Sequence, residues 1–146
     1  MADEQQLLDL IAGTGQGILG LVNRAGYPHL TNVLYVWDPE GRIARISTTA
    51  DRVKGRILQR NTHAALHVSG SHFWSFAAAE CDAEISPVAT DPGDQVCREL
   101  LELARARGDE VDEDAFFERM VRDRRLVLRL KVRRVYGVLL DRPPGR

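Results

Sequence analysis

Long apolar runs are missing from this chain: nothing in its 146 residues approaches the roughly 20 consecutive apolar positions a membrane-spanning helix requires. Cysteine is scarce as well. Cys81 and Cys97 are the only two, with no CxxC partner and no metal-ligand spacing, so both are expected to be inert packing residues. The four histidines, His29, His63, His67 and His72, form no HExxH or similar ligand pattern, and no metal site is expected. Net charge is nearly absent, at -1, which gives no bulk attraction to nucleic acid or to an anionic membrane. A dinucleotide-binding GxGxxG is lacking too: the nearest Gly-rich stretch, "GTGQG", precedes a strand-like segment instead of opening a helix. The opening "MADEQQLLDLIAG" carries acids where a secretory leader would carry cations, so a cytoplasmic location is expected.

What remains is ordinary soluble composition, 44% hydrophobic and 28% charged, on a length that fits a single domain over 1–146. Residues 3–13 read as an amphipathic helix, with Leu7, Leu8, Leu10 and Ile11 on one side and Gly13 as a stop. The period then changes to two. "GILGLVNR", "HLTNVLYVW" and "RIARIST" read as three strands of an antiparallel meander, joined at "AGYP" and "DPEG". "DRVKGRILQR" is helical, with Asp51 as its expected N-cap; "AALHVS" and the long "HFWSFAAAECDAEIS" are the fourth and fifth strands. Two further helices are expected, one from "TDPGD" to about Arg107 and one over "DEVDEDAFFERMV". The last strand is "RLVLRLKVRRVYGVLL". Six strands with helices only at crossovers and the N-terminus predict a mainly β fold, a small antiparallel barrel with peripheral helices.

Two strand faces stand out. In the fifth strand Phe73, Ser75, Ala77, Ala79, Cys81, Ala83 and Ile85 share the core side. Trp74 and Phe76 then fall on the other side, where exposed rings need a ligand, a partner subunit or a helix as cover. A register shift that buries both rings is the plain alternative. In the last strand, Arg129, Lys131 and Arg133 lie opposite an apolar face; they are either a solvated outer face or a surface for an anionic ligand tail.

The stretch "STTADRVKGR" also admits two readings. It places Ser47, Thr48 and Thr49 at a strand end, then Arg52, Lys54 and Arg56 around a helix start. Converging hydroxyls, cations and free helical N–H groups suit a phosphate, and they equally suit the polar beginning of a surface helix.

From "GYPHLTNVLYVWDPEGRIARISTTADRVKGRILQRNTHAALHV" onward the chain resembles the flavin-binding core of the pyridoxamine 5'-phosphate oxidase-like split β-barrel superfamily. Ser47, Thr48, Arg52, Lys54, Leu58, Asn61, Ala64, Ala65 and Leu66 fall at matching places. "FWSFAAAECDAEISP" and "MVRDRRLVLRLKVRRVYG" resemble the branch of F420-dependent oxidoreductases. The resemblance implies a six-stranded FMN-binding-type split barrel and a homodimer with cofactor sites at the subunit interface. It implies that Ser47, Thr48, Thr49, Arg52, Lys54 and Arg56 hold the cofactor phosphate, that Asn32 meets the ring, and that Trp74 and Phe76 line the site or the dimer wall. The implied activity is hydride transfer between coenzyme F420 and a small, planar unsaturated molecule. FMN in place of F420, and a non-catalytic flavin- or tetrapyrrole-binding protein, are the alternatives. The ending "YGVLLDRPPGR" lacks the substrate-binding segment of pyridoxamine phosphate oxidases proper, so vitamin B6 oxidation is not expected. No acid–base pair is legible; His29 and Tyr35, which flank Asn32, are the candidate proton donors.

Overall fold

The computed structural model describes residues 2–141, and the side chains of Val53, Lys54 and Gly55 lie outside the described residues. Helix α1 (Glu4–Thr14) starts in a capping box, with the Asp3 carboxylate accepting from the Gln6 N–H and the Gln6 side chain accepting from the Asp3 N–H. It stops at Gly15, which takes the left-handed conformation a side chain resists. Seven strands follow: β1 (Gln16–Val22), β2 (Pro28–Leu34), β3 (Val36–Asp38), β4 (Ile43–Thr49), β5 (His63–Ser69), β6 (Phe76–Ile85) and β7 (Arg125–Val138). Three more helices are α2 (Val53–Leu58), α3 (Gln95–Ala106) and α4 (Glu113–Arg122). All strand pairs are antiparallel, in the order β2-β1-β5-β6-β7-β4-β3. This curled sheet with peripheral helices is the split-barrel architecture the sequence predicts.

The expected meander is corrected. "HLTNVLYVW" is two strands: β2 pairs with β1, whereas β3 pairs with β4 at the other end of the sheet order. The chain crosses at Tyr35, whose N–H donates to the Gly15 carbonyl at 3.0 Å and whose hydroxyl donates to the Ile11 carbonyl. Period-two alternation runs through Tyr35 unbroken, so nothing in the pattern marks the crossing.

Inside the curl, Leu19, Leu21, Val33, Ile46, Leu66, Val68, Leu128 and Leu130 form the main core. The fully buried side chains of strand β6 there are all small, Ala77, Ala79, Cys81 and Ala83, and the space they leave admits Leu7 and Ile11 of α1. Helices α3 and α4 build a second core with Ala89 and with Val127 of β7. The first half of β7 is therefore buried on both faces.

Asp94 caps α3, whereas the sequence pattern puts the cap at Thr90 or Asp91. Burial opposes its ionisation, but N–H groups of Thr90, Cys97 and Asp91 hold its carboxyl down at about 2. A depressed carboxyl contributes stability that is present above its unfolded value near ~4 and lost as pH falls through the folded value. Asp94→Ala should cost about 1 kcal/mol in urea denaturation at pH 7, and the gap from wild type should close as pH falls from about 4 toward 2.

The two cysteines are free, buried and separate, and burial pushes the Cys81 thiol up to about 12. No helix among the described residues is long and apolar enough to cross a membrane.

Candidate functional site

The crossing at Tyr35 leaves part of β4 uncovered. Strand β3 pairs only with Ile43–Arg45, whereas β7 pairs with the whole of Ile43–Thr49, so one edge of Ile46–Thr49 has no neighbouring strand. A cleft of about 900 Å³ opens there. Its floor is Ile46, Ser47 and Thr48; β2 contributes Asn32, Val33 and Leu34; α3 and α4 roof it with Leu100, Ala104, Phe116 and Met120. Arg52, Arg107, Arg119 and Arg125 also line it, against two acids, Asp109 and Asp123.

Arg125 is the best-defined donor. It lies opposite Thr49 in register, and its Nη1 reaches the Ser47 hydroxyl at 3.5 Å. Its Nε is buried and has no hydrogen-bond partner among the described residues. A buried unpaired donor on a cation is costly, and the Arg125 side chain lines the cleft. The Ser47 hydroxyl and several guanidinium groups form a donor set that fits a phosphate, whereas the Thr48 side chain is buried on the opposite face of β4.

The structure brings together Asn32, Ser47, Thr48 and Arg52 of the predicted site residues. Thr49 is adjacent, its hydroxyl accepting from Arg52 Nε at 3.3 Å. That hydroxyl is also the main influence holding the exposed Asp51 carboxyl below the usual range. Arg56 turns away and donates to the Asp51 carbonyl at 3.3 Å. The Lys54 side chain lies outside the described residues. Helix α2 spans six residues, too few for its N-terminus to add much field.

Trp74 and Phe76 do not line this cleft. Strand β6 begins at Phe76, not at His72, and residues 70–75 form a tight turn in which the Gly70 N–H donates to the Ser75 carbonyl at 2.7 Å. Ser75 is buried; Phe73, expected on the core side, is 85% exposed and packs edge-on against Trp74. Phe76 is outward and stacks on His67 at 5.3 Å. His67 lines a second cavity, about 580 Å³, that shares Asn32, Val33 and Leu34 with the cleft. Neither ring is buried in the core.

That outward face is apolar and open: Ile18, Leu30, Leu34, Tyr136 and Val138 are all exposed on neighbouring strands. Register places Asn32, Ile18, His67, Ala78 and Tyr136 in one row across it.

The basic run of the last strand meets the acidic run of the fifth. A bulge opposite Glu80/Cys81 leaves Arg133 without a register partner, and places Arg134 opposite Glu80, Lys131 opposite Asp82 and Arg129 opposite Glu84. Arg129 bonds Glu84 at 2.6 Å and holds Glu99 of α3 bidentately; Arg133 pairs with Asp82 and Arg134 with Glu80. These arginines serve cross-strand pairing and the anchoring of α3.

Of the proposed proton donors, Tyr35 is 3% exposed and its phenol is pushed up to about 12 by burial. It lines neither cavity that holds Asn32. His29 lies opposite Leu21 and is likewise outside both. Tyr35→Phe should cost about 1 kcal/mol of stability through the lost bond to α1 and leave cofactor affinity unchanged. Paired urea denaturation and ligand titration check both halves.

Sequence reasoning missed Arg107 and Arg119 and left Arg125 unassigned. The pairing of β4 with β7 could have pointed to Arg125; the two roof arginines depend on how α3 and α4 fold back, which no spacing in the sequence encodes.

A curled antiparallel barrel whose open seam holds hydroxyls and arginines under a helical roof defines a split-barrel protein with a polar, arginine-lined cleft. The sequence pattern described as pyridoxamine 5'-phosphate oxidase matches residues 3–139, and the chain belongs to that flavin- and F420-binding family. An F420 reductase superposes with a TM-score of 0.65 at 19% identity, covering 88% of this chain and 94% of its own. A conserved hypothetical protein from Mycobacterium tuberculosis covers 100% of this chain and 94% of its own, at 20% identity and a TM-score of 0.69. A FAD-binding protein from Mesorhizobium loti covers 93% and 94%, at 12% identity and 0.66. At these identities the likeness is one of fold.

Proposed function

We propose that the protein is an F420-dependent oxidoreductase that moves a hydride between the deazaflavin and a small, planar unsaturated organic molecule. The observation that carries this reading is the cleft at the uncovered edge of β4, where Arg125 holds a buried, unspent donor beside Ser47. Ser47, Arg52 and Arg125 would hold the cofactor phosphate, and Asn32, shared by the two cavities, would meet the ring edge. The bound deazaflavin supplies the hydride chemistry; the protein supplies position and a dry environment.

The functional form is a homodimer. Its support is the exposed apolar face of β2, β1, β5, β6 and β7, which a second copy would cover, and Asn32 lies on that same face. Closing the dimer would exclude water from the cavity beside His67. Phe76 and Tyr136 then belong to the dimer wall.

An FMN-dependent flavoprotein is the second reading, because the strand-end donors fit a single ribityl phosphate equally well. Parallel fluorescence titrations of the pure protein with F420 and FMN decide between them. Tighter binding of F420 supports the proposal, and binding of FMN alone overturns it. Tight binding without turnover across a panel of unsaturated acceptors would indicate a carrier.

A further inference from the structure

Where a second anionic group of the ligand would sit follows from which arginines still have donors to give. On the outer face of β7, Arg129, Arg133 and Arg134 are committed to Glu84, Glu99, Asp82 and Glu80. In the cleft the situation is different. Arg119 of α4 is held by the face of the buried Phe116 ring, its guanidinium carbon 5.5 Å from the ring centroid. That contact fixes the group without consuming any of its five N–H donors. Arg107 follows the last turn of α3, where the helix dipole favours a cation. Its ion pair, with Asp109 at 3.7 Å, is local and exposed, the weakest kind. The second cleft acid, Asp123, is adjacent to Arg122 at 3.5 Å. Arg107 also lines the neighbouring cavity beside Trp37, so it marks where the cleft continues beyond the β4 edge.

We propose that Arg107 and Arg119 form a second anion subsite under the helical roof, so that the ligand of this cleft carries two separate anionic groups. One is the phosphate at Ser47 and Arg125; the other is a phosphate or carboxylate held by the roof. This rests on the reading that the cleft binds a phosphate-bearing cofactor, and it makes the roof the part that selects among such cofactors. A ligand with one phosphate engages only the strand end. A ligand with an anionic extension engages both.

The test is equilibrium titration of wild type, Arg107→Ala/Arg119→Ala and the better-packing Arg107→Gln/Arg119→Gln with three probes at low and moderate salt. FMN carries one phosphate, FAD a pyrophosphate, and F420 a phosphate with a carboxylate-bearing tail. The expected result is that F420 or FAD binds wild type more tightly than FMN does. Both double variants should then lose about tenfold or more for that ligand, with a shallower salt dependence, while FMN affinity stays within about twofold. Loss confined to F420 identifies a carboxylate subsite, and loss confined to FAD a pyrophosphate one. Equal weakening for FMN and the extended ligands, or no weakening at all, overturns the subsite while leaving the cofactor reading intact. If wild type binds none of the three, the cofactor reading fails and the subsite fails with it.

Discussion

Arg125→Ala should lower cofactor affinity by about 10- to 150-fold and leave the melting temperature of the free protein unchanged or slightly raised. The first half follows from a charge-assisted hydrogen bond to phosphate, about 1.5–3 kcal/mol, with each 1.4 kcal/mol a factor of ten. The second half follows from the free protein itself. Arg125 Nε is buried without a partner and Nη1 makes only a 3.5 Å contact to Ser47, so the native fold gains little from this guanidinium. A structural arginine behaves oppositely: Arg129, clamped to Glu84 and Glu99, should cost stability when removed. Arg125→Lys should recover part of the affinity, because an ammonium keeps the charge and loses the forked geometry. Fluorescence titration beside thermal denaturation reads both quantities. A fall in melting temperature with unchanged affinity would mean that Arg125 supports the fold and does not bind a ligand.

Ile18→Glu should convert a dimer into a monomer and weaken cofactor binding with it. Ile18 is 38% exposed and sits in register with Asn32 on one side and His67 on the other, near the middle of the open apolar face. In a lone chain a glutamate there keeps its water and the substitution is mild. Across an interface it becomes a desolvated, unpaired charge repeated by symmetry, with a cost of several kcal/mol. Sedimentation or light scattering should show the mass halving at micromolar concentration, and far-UV circular dichroism should show the fold retained. An unchanged dimer mass would place the interface elsewhere.

The elements of this fold were legible where periodicity and caps agree. The Leu7, Leu8 and Ile11 stripe found α1 within one residue, and period two found β1, β4, β5 and β7. Two failures have physical causes. The turn at residues 70–75 carries aromatics, so "HFWSF" reads as strand although Ser75 is turned inward by the tight bend. The break at Tyr35 preserves side-chain alternation, so the crossing that opens the cleft leaves no mark on the pattern. The site divides along the same line. Asn32, Ser47, Thr48 and Arg52 come from strands and turns near one another in sequence, and the structure joins them. Arg107, Arg119 and Arg125 reach the cleft through pairing and packing over long separations, which local spacing does not encode. The basic last strand looked like an anion surface only while its acidic partner strand was considered apart from it.

We propose that the Arg125 guanidinium is the cleft's principal anion donor. Nitrogen-15 NMR of the arginine Nε–H groups, assigned through Arg125→Lys and followed during titration with F420 and then FMN, tests it directly. The account predicts that the Arg125 Nε–H resonance moves strongly downfield and becomes protected from exchange as the cofactor saturates, while Arg129 stays still. Saturation of cofactor fluorescence with the Arg125 resonance unmoved would contradict it.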